Sequence, residues 1–112
     1  MANYLVQVSY TPEAWASLIK NPHDRSEVVG KVVQKLGGRV ERFWMSFGEH
    51  DIIGVVDLPT SVSAAAFAMA IAAGGACRNV KTTPLLNMQE GLEALKQAAT
   101  SGYKPVTAAA GA

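Results

Sequence analysis

Five consecutive residues, Ile52-Ile53-Gly54-Val55-Val56, carry no polar side chain. Successive side chains of a strand point to opposite faces, so a run like this one needs both faces of its sheet out of water. The chain must therefore supply, or recruit, a layer on each side of the sheet. Directly in front of the run stands Phe47-Gly48-Glu49-His50-Asp51, with three titratable side chains in a row. Those residues form either a chemical site or a polar turn that launches a buried strand.

The surrounding pattern supplies the other elements. Asn3 to Tyr10 alternates Tyr4, Val6, Val8 and Tyr10 with Leu5, Gln7 and Ser9, the period-two signature of a strand. Thr11-Pro12-Glu13 starts a short helix with a cap, a proline at the first position and an acid in the first turn, carrying Trp15, Leu18 and Ile19 inward. Asn21-Pro22 interrupts it. Asp24 or Ser26 restarts a longer helix with Val28, Val29, Val32, Val33 and Leu36 at helical spacing, which Gly37-Gly38 closes. Arg39 to Phe47 alternates Arg39, Glu41, Phe43, Met45 and Phe47 against Val40, Arg42, Trp44 and Ser46. Ile52 to Leu58 is the next strand, joined to it by the Gly48 turn. An Ala-rich helix follows over Val62 to Ala73, then a strand within Ala76 to Leu86. A last helix, Met88 to Ala99, opens on a capping box of Asn87 and Glu90 and bears a stripe of Met88, Leu92 and Leu95.

The order is β-α-β-β-α-β plus a carboxy-terminal helix, an α+β class with the split βαβ arrangement of ferredoxin-like domains. Both crossover helices then lie on one face of a four-stranded antiparallel sheet, and the opposite face is bare. The last helix is small cover for four strands. A second copy of the chain is the expected remainder, because a bare apolar sheet exceeds the patch size that monomers usually carry. At 112 residues there is one domain, expected over residues 1–99, followed by a flexible Ala- and Gly-rich tail over 100–112.

Composition narrows the function classes. The net charge is +1 and the basic residues are interleaved with acids from Lys20 to Lys104, so no nucleic-acid partner is expected. The stretch Val62 to Gly75 is shorter than the ~20 apolar residues of a bilayer span and reads as a buried helix, so no membrane partner is expected either. The amino-terminal MANYLVQVSYTP has no secretory pattern, and the one cysteine, Cys77, excludes an internal disulfide; both fit a reducing cytoplasm.

Three segments, Leu36-Gly37-Gly38-Arg39-Val40, Met45 to Ile53 and Asn79-Val80-Lys81-Thr82-Thr83, together resemble the GYD domain family. The resemblance runs from about Asn3 to Leu86. It implies a ferredoxin-like fold of the dimeric α+β barrel type and a homo-oligomer formed through the sheet face, and it carries no reaction with it. In the turn of that family a tyrosine stands where this chain has His50. Related barrel families include cofactor-free monooxygenases, isomerases and ligand-sensing domains, and fold alone does not choose among them.

Candidate site residues follow from chemistry. His50 is the candidate catalytic base, since an imidazole moves protons near neutral pH. A consecutive Glu49-His50-Asp51 triad is poor geometry, because neighbouring strand residues diverge. Gly48 and Asp51 are read as structural: the glycine for a turn conformation closed to other residues, the aspartate as acceptor of backbone N–H groups in that turn. Tyr4, Tyr10 and Trp44 are expected to line an apolar pocket between sheet and helices, with Trp15, His23 and the charged anchor Arg42 around it. Cys77 reads as a small buried residue. His23 and His50 lack a third ligand at metal spacing, so neither a metal nor another cofactor is expected. The leading expectation is a homo-oligomeric domain binding a small organic molecule. The alternatives are a cofactor-free oxygenase or isomerase with His50 as base, and an assembly module without a ligand.

Overall fold

In the computed structural model, residues 1–106 are described. The elements run β1 (Ala2–Tyr10), α1 (Pro12–Lys20), α2 (Arg25–Lys35), β2 (Arg39–Met45), β3 (Ile52–Leu58), α3 (Ser61–Ala73), β4 (Cys77–Leu85) and α4 (Met88–Ala99). The sheet order is β2-β3-β1-β4 with antiparallel neighbours throughout, the ferredoxin-like topology expected from the element order.

Each boundary has a local cause. The Thr11 side chain accepts the Ala14 N–H at the start of α1, and Asp24 accepts the Ser26 N–H at the start of α2. The end of α2 is a complete Schellman motif. Gly37 takes φ +87°, its N–H donates to the Gln34 carbonyl, and the Gly38 N–H donates to the Val33 carbonyl, both at 3.0 Å. Gly38 has a second reason to be glycine, since a Cβ there would collide with the Asp57 carbonyl oxygen. Reciprocal capping boxes open α3, through Thr60 and Ser63, and α4, through Asn87 and Glu90.

The core lies between the sheet and the α1, α2 and α3 layer. Tyr4, Val6, Val8, Val56 and Leu58 from the sheet meet Val33, Ala64 and Phe67 from the helices. Register explains the apolar run. Ile52, Gly54 and Val56 sit opposite Val8, Val6 and Tyr4 on the helix-covered face, while Ile53 and Val55 sit opposite Gln7 and Leu5 on the other. On that outer face Leu5, Ile53, Val55 and Thr83 are only half-buried in a single chain. Asp57 anchors one corner, accepting hydrogen bonds from Asn3 and from Arg39 Nε at 2.9 Å.

Four expectations are corrected. Strict alternation along β2 fails at Glu41, where a bulge shifts the register between Val40 and Arg42. Val40 and Phe43 thus pack toward the core, and Arg42 and Trp44 share the outer face. Ile19 does not turn inward; it is 75% exposed, because α1 is short and rests on the end of β1. Only one side of α3 is buried, through Ala64 and Phe67, with Val62 and Met69 in solvent, since a single helical layer has water behind it. The α4 helix covers none of the sheet: none of its residues is buried, and Met88, Leu92 and Leu95 stay exposed. Of the expected tail, 100–106 is exposed and non-helical, and 107–112 lies outside the described residues.

Candidate functional site

Beneath α1, α2 and α3 the core is incomplete. A cavity of 590 Å³ opens there, floored by Val6, Val8, Phe43 and Ile52 and walled by Val29, Val32, Phe67 and Ile71. The volume lies in the ordinary range for small-molecule sites, about 300–1,000 Å³. Two features of the sequence create it. The Asn21-Pro22 interruption separates α1 from α2, so the crossover spans the sheet as two short helices. Along α3, alanines supply Ala70 where a larger side chain would fill the space.

One end of the cavity is polar and is built from Tyr10, His23, Asp24, Arg25, Ser26 and Cys77. Tyr10 closes β1; its ring is 8% exposed and meets the Trp15 ring edge-on, with centroids 5.4 Å apart. Burial raises the Tyr10 phenol above its ordinary value, and the Arg25 guanidinium beside it partly opposes that rise. Burial likewise raises the Cys77 thiol, with Arg25 again acting in the opposite sense. Both groups therefore hold their protons at neutral pH and present O–H and S–H. The His23 ring is oriented by its Nδ1–H, which donates to the Asn21 carbonyl at 2.8 Å, leaving Nε2 to accept from Arg25 Nη1 at 3.3 Å. The loop thereby aims the guanidinium.

The FGEHD segment lies elsewhere. Asp51 is buried and joins three strands: its carboxylate accepts the Tyr10 N–H at 2.8 Å, its N–H donates to Val8, and its carbonyl accepts the Ser46 N–H. The Tyr10 N–H needs such a partner because the β1–β4 register slips between Ser9 and Tyr10. The acceptor role expected for Asp51 is thus exercised toward β1 and not within its own turn. Gly48 sits in the loop, but outside the left-handed region and with open space where a Cβ would go, so no closed conformation demands glycine there. His50 Nδ1 is 3.5 Å from the Ser9 hydroxyl, which donates to the Glu49 carbonyl at 2.9 Å.

Of the residues anticipated as a pocket, Tyr10 and His23 border the cavity, and Trp44 meets it from a strand position whose ring pairs with Arg42 on the outer face. Tyr4 is buried in the core, Trp15 stands behind Tyr10, and His50 is not part of the wall. Arg42 lies on the outer face with its guanidinium over the Trp44 ring at 5.1 Å, so it does not anchor this cavity. The cation that borders it is Arg25, which aromatics and histidines do not pick out. Its signal was present: a cation at the first position of a helix opposes the macrodipole, and such a placement calls for a reason. Among the described residues, no group of three or more His, Cys, Asp or Glu side chains is arranged to hold a metal ion.

Fold and cavity together define an α+β domain of ferredoxin-like topology with an apolar chamber between sheet and helices. The family model described as GYD domain matches residues 4–95, most of the chain, and this protein belongs to the GYD domain family. No curated protein matches it.

Proposed function

We propose that the protein is a small-molecule binding domain whose ligand occupies the chamber beneath α1, α2 and α3, and that it works as a homo-oligomer joined through the outer sheet face. The observation that carries the ligand reading is a 590 Å³ apolar volume with its polar groups gathered at one end. An apolar recess of this size leaves side chains in water that a bound apolar molecule would cover. The oligomer reading rests on Leu5, Ile53 and Val55, half-buried at the middle of an otherwise uncovered sheet and rimmed by Arg42, Lys81 and Gln7. An apolar centre with a polar rim is the composition of a protein interface.

His50 as a general base finds no support in the arrangement, because it does not border the chamber. No helix among the described residues is long and apolar enough to cross a membrane.

Native mass spectrometry of protein purified from its own host tests both halves together. The expected spectrum has a multiple of the chain mass plus a retained small molecule that is lost from a Val29→Phe variant, whose ring projects into the chamber. A monomer would refute the oligomer. A Val29→Phe variant that keeps the same retained mass would move the ligand out of the chamber.

A further inference from the structure

We infer that the ligand is an organic carboxylate, its anionic head held by the Arg25 guanidinium and the Tyr10 hydroxyl and its hydrocarbon body lying over Val8, Val29, Phe67 and Ile71. The inference rests on the chamber reading above and adds the ligand's chemical class.

Four observations converge on it. First, Arg25 is half-buried at the chamber and has no carboxylate partner; the ion pairs among the described residues are those of Arg39 with Glu41 and Asp57. The guanidinium is held by the His23 imidazole and borders an apolar chamber, so it is free to take an anion. Second, it stands at the first position of α2, where the helix end adds positive potential, so an anion there meets both. Third, the side chains flanking Arg25 are protonated donors: the hydroxyl of Tyr10, a residue only 8% exposed, and the Cys77 thiol. Fourth, the carboxylates nearby are already engaged. Asp24 Oδ1 accepts from the Ser26 N–H at 2.9 Å and the Ser26 hydroxyl at 2.6 Å, and Asp51 Oδ2 accepts the Tyr10 N–H. The polar end thus offers several donors and, in Arg25, a guanidinium with no ion-pair partner among the described residues; Asp24 keeps its own negative charge there, held by Ser26, and what complements the guanidinium and the hydroxyl is an acceptor carrying no more than one negative charge. A carboxylate fits better than a phosphate, because a single arginine beside an apolar chamber balances one charge and leaves the second of a phosphate dianion desolvated.

The test is isothermal calorimetry at pH 7.5 with two matched pairs, decanoate against 1-decanol and 2-naphthoate against 2-naphthalenemethanol, so that aliphatic and aromatic bodies are told apart. In the wild type, at least one acid should bind about ten- to hundredfold more tightly than its alcohol, the range for a charge-assisted hydrogen-bonded pair. Arg25→Gln should erase that preference with little change for the alcohol, and Arg25→Lys should restore part of it. Equal binding of acid and alcohol by the wild type overturns the carboxylate assignment while the chamber reading survives. So does an acid preference that persists in Arg25→Gln. If neither member of either pair binds at millimolar concentration, the chamber reading fails and this inference fails with it. The wild-type comparison decides the matter even if Arg25→Gln does not fold.

Discussion

Two glycine-to-alanine substitutions should move stability in opposite directions. Gly54 faces Phe43 across the β2–β3 pair, and a Cβ at Gly54 would fall inside the van der Waals envelope of the Phe43 ring edge. Contact between carbon atoms is comfortable only at ~3.5–4 Å, so the ring has to leave. The new Cβ would also crowd the Arg42 carbonyl oxygen, at 3.1 Å, and the ring borders the chamber that it already floors. Displacing a well-packed ring costs about 1–3 kcal/mol, and the lower backbone entropy of alanine returns about 0.5–1, leaving Gly54→Ala less stable by about 1.5 kcal/mol. For a domain of this size that is a fall of roughly 6–12 °C in Tm. Gly30 lies inside α2, and a Cβ there meets nothing within 4 Å. Gly30→Ala should therefore gain about 0.8–1 kcal/mol of helix propensity and raise Tm by roughly 4–8 °C. Thermal unfolding followed by circular dichroism, at one protein concentration, reads both. A double-mutant cycle isolates the cause, since in a Phe43→Ala background Gly54→Ala should become neutral or stabilising. A Gly54→Ala protein as stable as the wild type, or a cycle with no coupling, would refute the claim that Gly54 exists to seat Phe43.

The titrating groups and the sheet face give further outcomes. The Tyr10 phenol has a folded pKa raised above its unfolded value near 10, so its contribution to stability is complete below pH 10 and lost as pH rises through the folded value. Absorbance titration of Tyr10→Phe should lack a phenol that in the wild type ionises above the ordinary tyrosine value. Burial alone would raise the Asp57 carboxyl, but the hydrogen bonds it accepts from Arg39 and Asn3, with the Arg39 charge, outweigh that and leave the group below its ordinary value. Its stabilisation is therefore present above the unfolded value of about 3.9 and disappears as pH falls through the folded one, so urea midpoints of Asp57→Asn should depend less on pH below 4 than those of the wild type. Cys77 should react with iodoacetamide at pH 7.5 several-fold more slowly in the folded protein than in urea, because its thiol is raised by burial; equal rates would contradict that environment. Leu5→Lys, at the centre of the outer face, should leave the monomer folded and abolish self-association in sedimentation velocity.

Element type and order were legible in the residues because each strand and helix advertises itself through local chemistry. Ile52 to Leu58 and Met88 to Ala99 were readable to the residue, the first from its bounding turns and the second from a cap that satisfies two backbone donors at once. The β2 face assignment was not legible, since a bulge is a pairing event between two strands and one strand's alternation holds no record of it. Val40 and Phe43 reach the same core only because Glu41 is extruded. The exposure of α4 was hidden for a related reason. An apolar stripe says that a helix has a partner and leaves open whether that partner belongs to the same chain, and here Met88, Leu92 and Leu95 find none among the described residues.

For the site, composition drew the eye to a polar cluster that does not border the chamber. Glu49-His50-Asp51 stands out in the sequence because three titratable groups are adjacent, yet adjacency in a strand or turn scatters side chains, and Asp51 spends its carboxylate on a backbone N–H freed by the slip beside Tyr10. The polar end of the chamber instead draws on residues 10, 23, 25 and 77, which only the topology brings together: Tyr10 and Cys77 are cross-strand partners on β1 and β4, and the α1–α2 break lies over them. Such a constellation shows in the sequence only through residues that violate a local preference. Arg25 is that residue, a cation at a helix start. The cost of that placement is borne by every folded molecule, and the carboxylate inferred for the chamber would offset it when bound at Arg25. On that argument Arg25→Glu, which suits the helix dipole and removes the anion's partner, should stabilise the ligand-free protein slightly while abolishing carboxylate binding. A variant that is both less stable and still able to bind decanoate or 2-naphthoate would show that Arg25 serves the fold and not the ligand.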